Sequence, residues 1–390
     1  MITVSEALDL LFALAQPLEV EEVSISEANG RVLAQTLAAK RTQPPFPASA
    51  MDGYAVGGGQ PTLGERFRLV GESAAGHAWG GTLRAGECVR IFTGAPVPQG
   101  GDFVVIQEDT SRISTEVTIS REPSPDDNIR RAGIDFEVGT PLPAPRRLRA
   151  AEVALLAAMN HARVPVTRKP VVALISTGDE LVMPGESPSP DQIIASNTFG
   201  LKALLQDHGA IVRILPIAKD REASIAQTLA LAADADLIIT IGGASVGDHD
   251  LVSAVTRGLG ADQSFHKVAM RPGKPLMAGK IGQSMMIGLP GNPVSALVCG
   301  HIFVVPVIKA MLGLPAVPAV RLKAPLAEPV GANGPREHYM RANITPEGVV
   351  SKEDQDSSLL SVLASANALL VRPASDGPRQ AGEIVEYIPI

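Results

Sequence analysis

From Pro170 onward the chain alternates short apolar runs with helical stretches, and that alternation leaves few folds open. VVALIS reads as a strand, Ser196 to Gly209 as a helix ending in glycine, IVRILPI as a strand and Arg221 to Ala233 as a helix. LIITI is then a strand and Asp250 to Leu259 a helix. Strands follow around His266–Met270 and Met285–Leu289, and Pro293 opens a long apolar helix to Leu312. Strands taken in turn with helices predict an α/β unit with a parallel sheet covered on both faces. In such sheets ligands sit beyond the C-terminal ends of the strands, so the loops there are where chemistry is to be sought.

The 390 residues exceed one ordinary core, and about two to four domains are expected. Residues 1–40 read as a helix, a short strand (Val20 to Ile25) and a second helix from Ser26. Between 43 and 133, short apolar runs separated by glycines (Phe67–Val70, Cys88–Phe92, Phe103–Gln107, Val117–Ser120) point to a β-rich unit. Ala150 to His161 is helical. After LPAVPAV, read as a linker, the last stretch breaks into short strands (VRLKAPL, HYMRANI, GVVS, ALLVRP, EIVEYIPI) that suit a small β barrel or sandwich. The expected division is 1–42 with 134–166 as a helical linking domain, 43–133 as an inserted β-rich domain, 167–313 as the α/β domain and 314–390 as a C-terminal β barrel.

Charge and cysteine content narrow the function. A net charge of −7 argues against general nucleic-acid binding. The two cysteines, Cys88 and Cys299, are far apart, so neither a disulfide framework nor a cysteine metal site is expected, and a reducing, cytoplasmic compartment fits. The N-terminal MITVSEALDLLFALA carries Glu6 and Asp9 within a helical apolar pattern, which reads as an amphipathic helix rather than a signal peptide. No uncharged apolar run reaches about 18 residues, so no membrane span is expected.

Three loops follow strands of the α/β region: STGDEL (Ser176 to Leu181), GGASVGDHD (Gly242 to Asp250) and GLPGNPVSA (Gly288 to Ala296). Glycine lets the backbone bring its N–H groups against a ligand, and a helix N-terminus favours phosphate. Ser245, Asn292 and Ser295 add polar groups, with Pro293 placed for a first helical turn. Each loop alone also reads as an ordinary turn; three on neighbouring strand ends are harder to set aside. Asp179, Glu180, Asp220, Asp248 and Asp250 would repel an anion unless a cation intervened, and Mg²⁺ is the natural bridge between carboxylates and phosphates. Asp220 and Asp250 read equally as helix caps.

Basic groups come from HKVAMRPGKP. Lys267 and Arg271, four residues apart, fall on one face of a strand and suit a small oxyanion, with Lys274 beyond; surface charge at a strand end is the plain alternative. No Walker-type phosphate loop occurs. In the β-rich unit, Asp52 precedes Gly53 in what is also an ordinary turn signal, Thr93–Gly94 follows an apolar run, and NIRRAGIDF sets Arg130 and Arg131 ahead of Asp135.

Taken together, MDGYAV, IFTGAPVP, NIRRAGID, STGDEL, GGASVGDHD, HKVAMRPGKP and GLPGNPVSAL stand in the order found in the MoeA family of molybdopterin molybdenumtransferases, and the chain resembles that family over essentially its whole length. The module is similar to the E domain of gephyrin. The resemblance implies an elongated multidomain chain whose α/β domain is MogA-like and binds molybdopterin. It implies insertion of molybdenum from molybdate into molybdopterin-AMP, with Mg²⁺-dependent release of AMP. A molybdopterin adenylyltransferase would act upstream; cofactor-maturation proteins or apo-molybdoenzymes would act downstream. Neither nucleic acid nor membrane is a partner in this reading.

The same resemblance assigns catalysis to Asp52, Thr93, Asp135, Glu180, Asp250, Lys267 and Arg271. Substrate binding falls to Arg130, Ser176, Thr177, Gly178, Asp179, Asp220, Gly242, Gly243, Ser245, Gly247, Lys274, Pro290, Asn292, Pro293 and Ser357, and Mg²⁺ to Glu180, Asp220 and Asp250. It further implies a head-to-tail homodimer in which the β-rich domain of one subunit completes the pocket of the other, so that Asp52 acts across the interface. Two positions depart from the family pattern. Arg271 stands where lysine is common, which keeps charge but changes geometry. Gln355-Asp356-Ser357-Ser358 replaces QGSG, exchanging two glycines for residues that disfavour positive φ. The competing reading is a non-catalytic pterin-binding or scaffold dimer; a third is a Mg²⁺-dependent nucleotide pyrophosphatase.

Overall fold

The structure, a computed structural model, describes residues 1–243 and 251–390. Ser245, Gly247, Asp248 and Asp250 lie outside the described residues.

The α/β region is built on a six-stranded sheet in the order Ile211–Ile214, Val171–Ser176, Leu237–Ile241, Ser284–Leu289, Pro275–Ile281, Asp262–Lys267. The first four strands run parallel, as the alternation of elements requires. Pro275–Ile281 alone runs antiparallel to both of its neighbours, because Gly282 and Gln283 turn it directly into Ser284–Leu289 with no room for a crossover helix. The central strands Leu237–Ile241 and Ser284–Leu289 are buried at every residue, as strands covered on both faces must be.

Alternate side chains enter two cores. Val172, Leu174, Leu237 and Ile239 pack with the helices Asn197–Asp207 and Pro293–Cys299 and with Val305–Met311. Ala173, Ile175 and Ile238 pack against Glu222–Ala230 and Leu251–Gly258. The N-terminal helix Val4–Leu14, grouped with the linking domain by its place in the sequence, buries Val4, Ala7, Leu8 and Leu11 in the first of these cores. The stretch Pro293–Met311 is long and apolar enough to cross a membrane by length and composition, and 83% of it is buried inside the fold.

Residues on either side of the β-rich insertion form a small antiparallel sheet: Val20–Ser24, Arg163–Thr167, Val32–Leu33, Arg146–Arg147. The helix expected from Ser26 does not form. Only one 3-10 turn, Ile25–Glu27, is present. The Ile25 N–H bonds Ala162 O and the Gly30 N–H bonds Leu148 O, so the chain leaves the turn to pair Val32–Leu33 into the sheet.

The inserted region is a mixed sheet ordered Phe103–Ile106, Gly53–Val56, Glu87–Ile91, Arg66–Ser73, Glu116–Ile119, Thr110–Ile113. Both of its faces are covered, by the cluster around Tyr54, Val56 and Cys88 and by the one around Ala55, Val89 and Ile91.

At the C-terminus, Glu337–Thr345, Ala368–Arg372, Ile384–Pro389 and Leu322–Pro325 pair in that order, and Gly348–Ser351 pairs back onto Glu337–Thr345. A bridge between Leu326 and Val349 closes the barrel. Closure demands glycine at 348: φ is +129°, and a Cβ there would lie 2.1 Å from Pro325 O.

Lys267 and Arg271 do not share a strand, contrary to the sequence expectation. Lys267 ends Asp262–Lys267 in the α/β sheet, whereas Met270–Arg271 joins the barrel sheet, parallel to Glu337–His338. The chain changes sheets between them because the Val268 N–H turns to Lys274 O and the Ala269 N–H to Ile2 O.

Candidate functional site

The strand order reverses between Val171–Ser176 and Leu237–Ile241, since the chain steps first to Ile211–Ile214 on one side and then to Leu237–Ile241 on the other. A cavity of about 700 Å³ opens at the C-terminal ends of these strands, where ligands of open α/β sheets bind. Its walls include Ser176, Thr177, Gly178, Glu180, Asp220, Gly242, Gly243, Pro290, Asn292 and Pro293. Ten of the residues expected to bind or act therefore converge on one space.

The floor is held by main chain. The Thr177 N–H bonds Ile241 O at 3.0 Å, and the Gly242 N–H bonds Leu289 O at 3.1 Å. Gly242 sits at φ +89°, and a Cβ there would lie 2.9 Å from Thr177 O, so only glycine lets the two loops close this tightly. Above them the Thr177 hydroxyl is buried and has no hydrogen-bond partner among the described residues.

Glu180 and Asp220 are exposed and face the same space. Asp179 does not line it. Asp179 Oδ1 instead accepts from the Asp220 N–H at 3.4 Å, and its carbonyl accepts from Lys219 Nζ at 3.3 Å, so Asp179 positions the Asp220 loop. No cluster of three or more His, Cys, Asp or Glu suited to a metal occurs among the described residues. Glu180 and Asp220 facing one cavity are a donor set that suits Mg²⁺, which is held by one or two carboxylates with substrate phosphates and water completing the shell.

The C-terminal barrel reaches the cavity rim. Asn292 heads the Pro293–Cys299 helix but makes no side-chain cap; its Nδ2 donates instead to Ser357 Oγ at 3.0 Å, and the Val294 N–H bonds Ser357 O at 3.2 Å. The departure from QGSG introduces no strain, for neither Asp356 nor Ser358 has positive φ. The Asp356 carboxylate accepts from the Ser358 N–H (2.8 Å) and hydroxyl (2.6 Å), which fixes the turn that presents Ser357.

Behind this turn lies a basic group that sequence reasoning missed. Arg341 is fully buried, and one nitrogen, Nη2, donates to Asp356 O at 3.0 Å. Its Nε and Nη1 have no partner among the described residues. Burial and the nearby Arg271 pull its guanidinium below the usual arginine range, against the opposing pull of Asp354 and Asp356. His338, also buried, pairs in register with Arg271 and leaves Nε2 without a partner among the described residues. Burial, with Arg271, Arg341, Arg372 and Arg336 around it, pushes the imidazole down to about 4. Arg341 is thus a buried cation with two N–H groups lacking an acceptor among the described residues, beside an imidazole that is uncharged at neutral pH. Lys274 is exposed and immediately precedes the cavity-lining Pro275, while Lys267 is half-buried at its strand end.

The remaining expected residues lie in or beside the β-rich insertion, and none lines the cavity. Asp52 Oδ1 accepts from both the Thr93 N–H and the Thr93 hydroxyl at 2.7 Å. Those two bonds, aided by Arg90, hold the Asp52 carboxyl below its usual range. The pairing of Ile129–Arg130 with Ala48–Ser49 brings Arg130 onto the same loop cluster. The exposed Asp135 is set by its N–H bond to Gln43 O at 3.2 Å.

An α/β crevice with a glycine floor, an acidic rim and a barrel-borne arginine beside it marks a multidomain protein with its cavity at the switch point of the sheet, where such folds bind ligands. Comparison with known proteins narrows this. The chain matches the MoeA N-terminal region (domains I and II) over residues 2–160, the probable molybdopterin-binding domain over 173–310 and the MoeA C-terminal region (domain IV) over 323–390. It is 36% identical to a molybdopterin molybdenumtransferase of Nostoc over 100% of this chain and 94% of that protein. The Haemophilus influenzae protein of the same name is 34% identical over 100% and 98%. Among solved structures, a molybdopterin biosynthesis MoeA protein from Pyrococcus horikoshii superposes with a TM-score of 0.86 at 26% identity, covering 100% of both chains. The chain belongs to the molybdopterin molybdenumtransferase family, and it is an enzyme of molybdenum cofactor biosynthesis.

Proposed function

We propose that the chain transfers molybdenum from molybdate to molybdopterin, with molybdopterin-AMP held in the cavity and molybdate in the Arg341–Arg271 cluster. The Thr177 hydroxyl and the main chain at Gly178, Gly242 and Gly243 meet the pyrophosphate; Ser245 and Gly247, outside the described residues, belong to the same loop. Mg²⁺ bound at Glu180 and Asp220, with Asp250 as a further ligand from the undescribed loop, would neutralise the charge between pyrophosphate and carboxylates. Arg341 and Arg271 draw the oxyanion in, and Ser357 stands between the two sites. Cleavage of the P–O–P link by water releases AMP. The dithiolene sulfurs replace oxide ligands of molybdate, which leave with protons as water.

We further propose a homodimer in which Asp52, Thr93, Arg130 and Asp135 of one subunit complete the cavity of the other. Asp52, ionised and held by Thr93, is suited to accept a proton. The adenylated pterin would come from an adenylyltransferase, and apo-molybdoenzymes would receive the product.

The observation that carries this reading is Arg341, a buried cation with two idle donors beside a phosphate-type crevice. Arg341→Ala should abolish molybdate-dependent AMP release from molybdopterin-AMP while AMP binding stays within about twofold of the parent, since losing a charge-assisted donor costs the oxyanion, not the nucleotide. Unchanged molybdate-dependent release in that variant would overturn the assignment.

A further inference from the structure

We propose that Leu181, Ile193 and Ile194 form the platform on which a planar heteroaromatic ring of the ligand lies. The proposal deepens the reading above and rests on it for the ligand being a phosphate-bearing ring compound.

Leu181–Val182 and Ile193–Ile194 make a parallel ribbon of two residues per strand. It is pinned by the Ile193 N–H to Glu180 O at 2.8 Å and the Ala195 N–H to Val182 O at 2.9 Å. Ile193 is 58% exposed and Ile194 38%, and both line the cavity with Leu181. One exposed aliphatic side chain needs no explanation, but several gathered on one side of a polar cavity mark a surface meant to be covered.

The rest of the cavity sorts by chemistry around this ribbon. Thr177 and the backbone glycines stand just beyond strand ends of the main sheet, and Glu180 is the junction, lining the cavity while its carbonyl accepts from the ribbon. A ligand with a phosphate at one end and a flat apolar face at the other would satisfy both. Polar groups for the ring edge are also present. Ser196 begins the Asn197–Asp207 helix without a side-chain capping bond, and it lines the cavity beside Asn197, whose Nδ2 donates to Gly291 O at 2.7 Å. Adenine and pterin share this chemistry.

The test is calorimetric titration of the parent and of Ile193→Ala, Ile194→Ala and the double variant with three probes: AMP, a pterin monophosphate and inorganic pyrophosphate. Both positions are exposed, so melting temperatures should not move. The double variant should bind one ring-bearing probe about tenfold or more weakly, through lost apolar contact, with pyrophosphate affinity unchanged. Loss for AMP alone assigns the platform to adenine, and loss for the pterin alone assigns it to pterin. Unchanged affinity for every probe, or equal weakening of all three including pyrophosphate, overturns the platform and leaves the proposed function standing. If the parent binds none of the probes, the proposed function fails and the platform with it.

Discussion

Thr177 tests the site at the scale of a single atom. Its hydroxyl is buried without a partner among the described residues, and leaving a buried polar group unsatisfied costs about 1–3 kcal/mol. Thr177→Val, equal in shape, should therefore leave the melting temperature unchanged or raise it while weakening AMP binding about tenfold; a melting loss without a binding loss would make the hydroxyl structural. His338 gives the pH dependence. Its folded-state value of about 4 lies below the 6.5 of the free side chain, so between those values the unfolded chain binds more protons. Stability then falls as pH drops from 6.5 toward 4. His338→Gln should lose less melting temperature over that interval than the parent. His301, also pushed to about 4 by burial and His208, acts with the same sign, so the loss should shrink without vanishing. A parallel pair of melting curves would show that His338 does not titrate on unfolding.

Elements were legible where a local pattern decides them. VVALIS, LIITI and the strand ending at Leu289 are continuous apolar runs, and they form the centre of the α/β sheet. The loops between strands and helices were legible for the same reason, and ten of their expected residues meet in one cavity. What escaped was fixed by distant partners. The break between Lys267 and Arg271 is made by hydrogen bonds to Lys274 and Ile2 and by pairing with Glu337 and His338, none of which leaves a trace in local periodicity. Arg341 left no signal either: by alternation it falls with Glu337, Tyr339 and Asn343 on what reads as the polar face of its strand, and only the fold buries it. Barrel closure belongs to this scale as well. Gly348→Ala would meet Pro325 O and hold alanine at φ +129°, costing about 1–3 kcal/mol from backbone strain alone. Chemical denaturation should show that loss, and an unchanged midpoint would mean the Leu326–Val349 closure is dispensable.

Across the whole molecule, the expected active groups divide between a cavity in the α/β region and an acid held by Thr93 in the β-rich insertion. If two subunits build each site, Asp52→Ala and Asp220→Ala should each be inactive alone. Co-refolded in equal amounts they should recover about a quarter of parental turnover, since half the dimers are mixed and each of those has one intact site of two. No recovery on mixing would confine each site to its own chain. The two-residue strand Met270–Arg271 has a mechanical meaning here. It leaves the α/β sheet and is woven into the barrel beside Glu337 and His338, so the two bodies are stitched by main-chain bonds as well as packed. Swinging them apart would tear that seam, and with it the register that sets Arg271 opposite His338. Any route for cargo that needed the two bodies to part would have to break those bonds first.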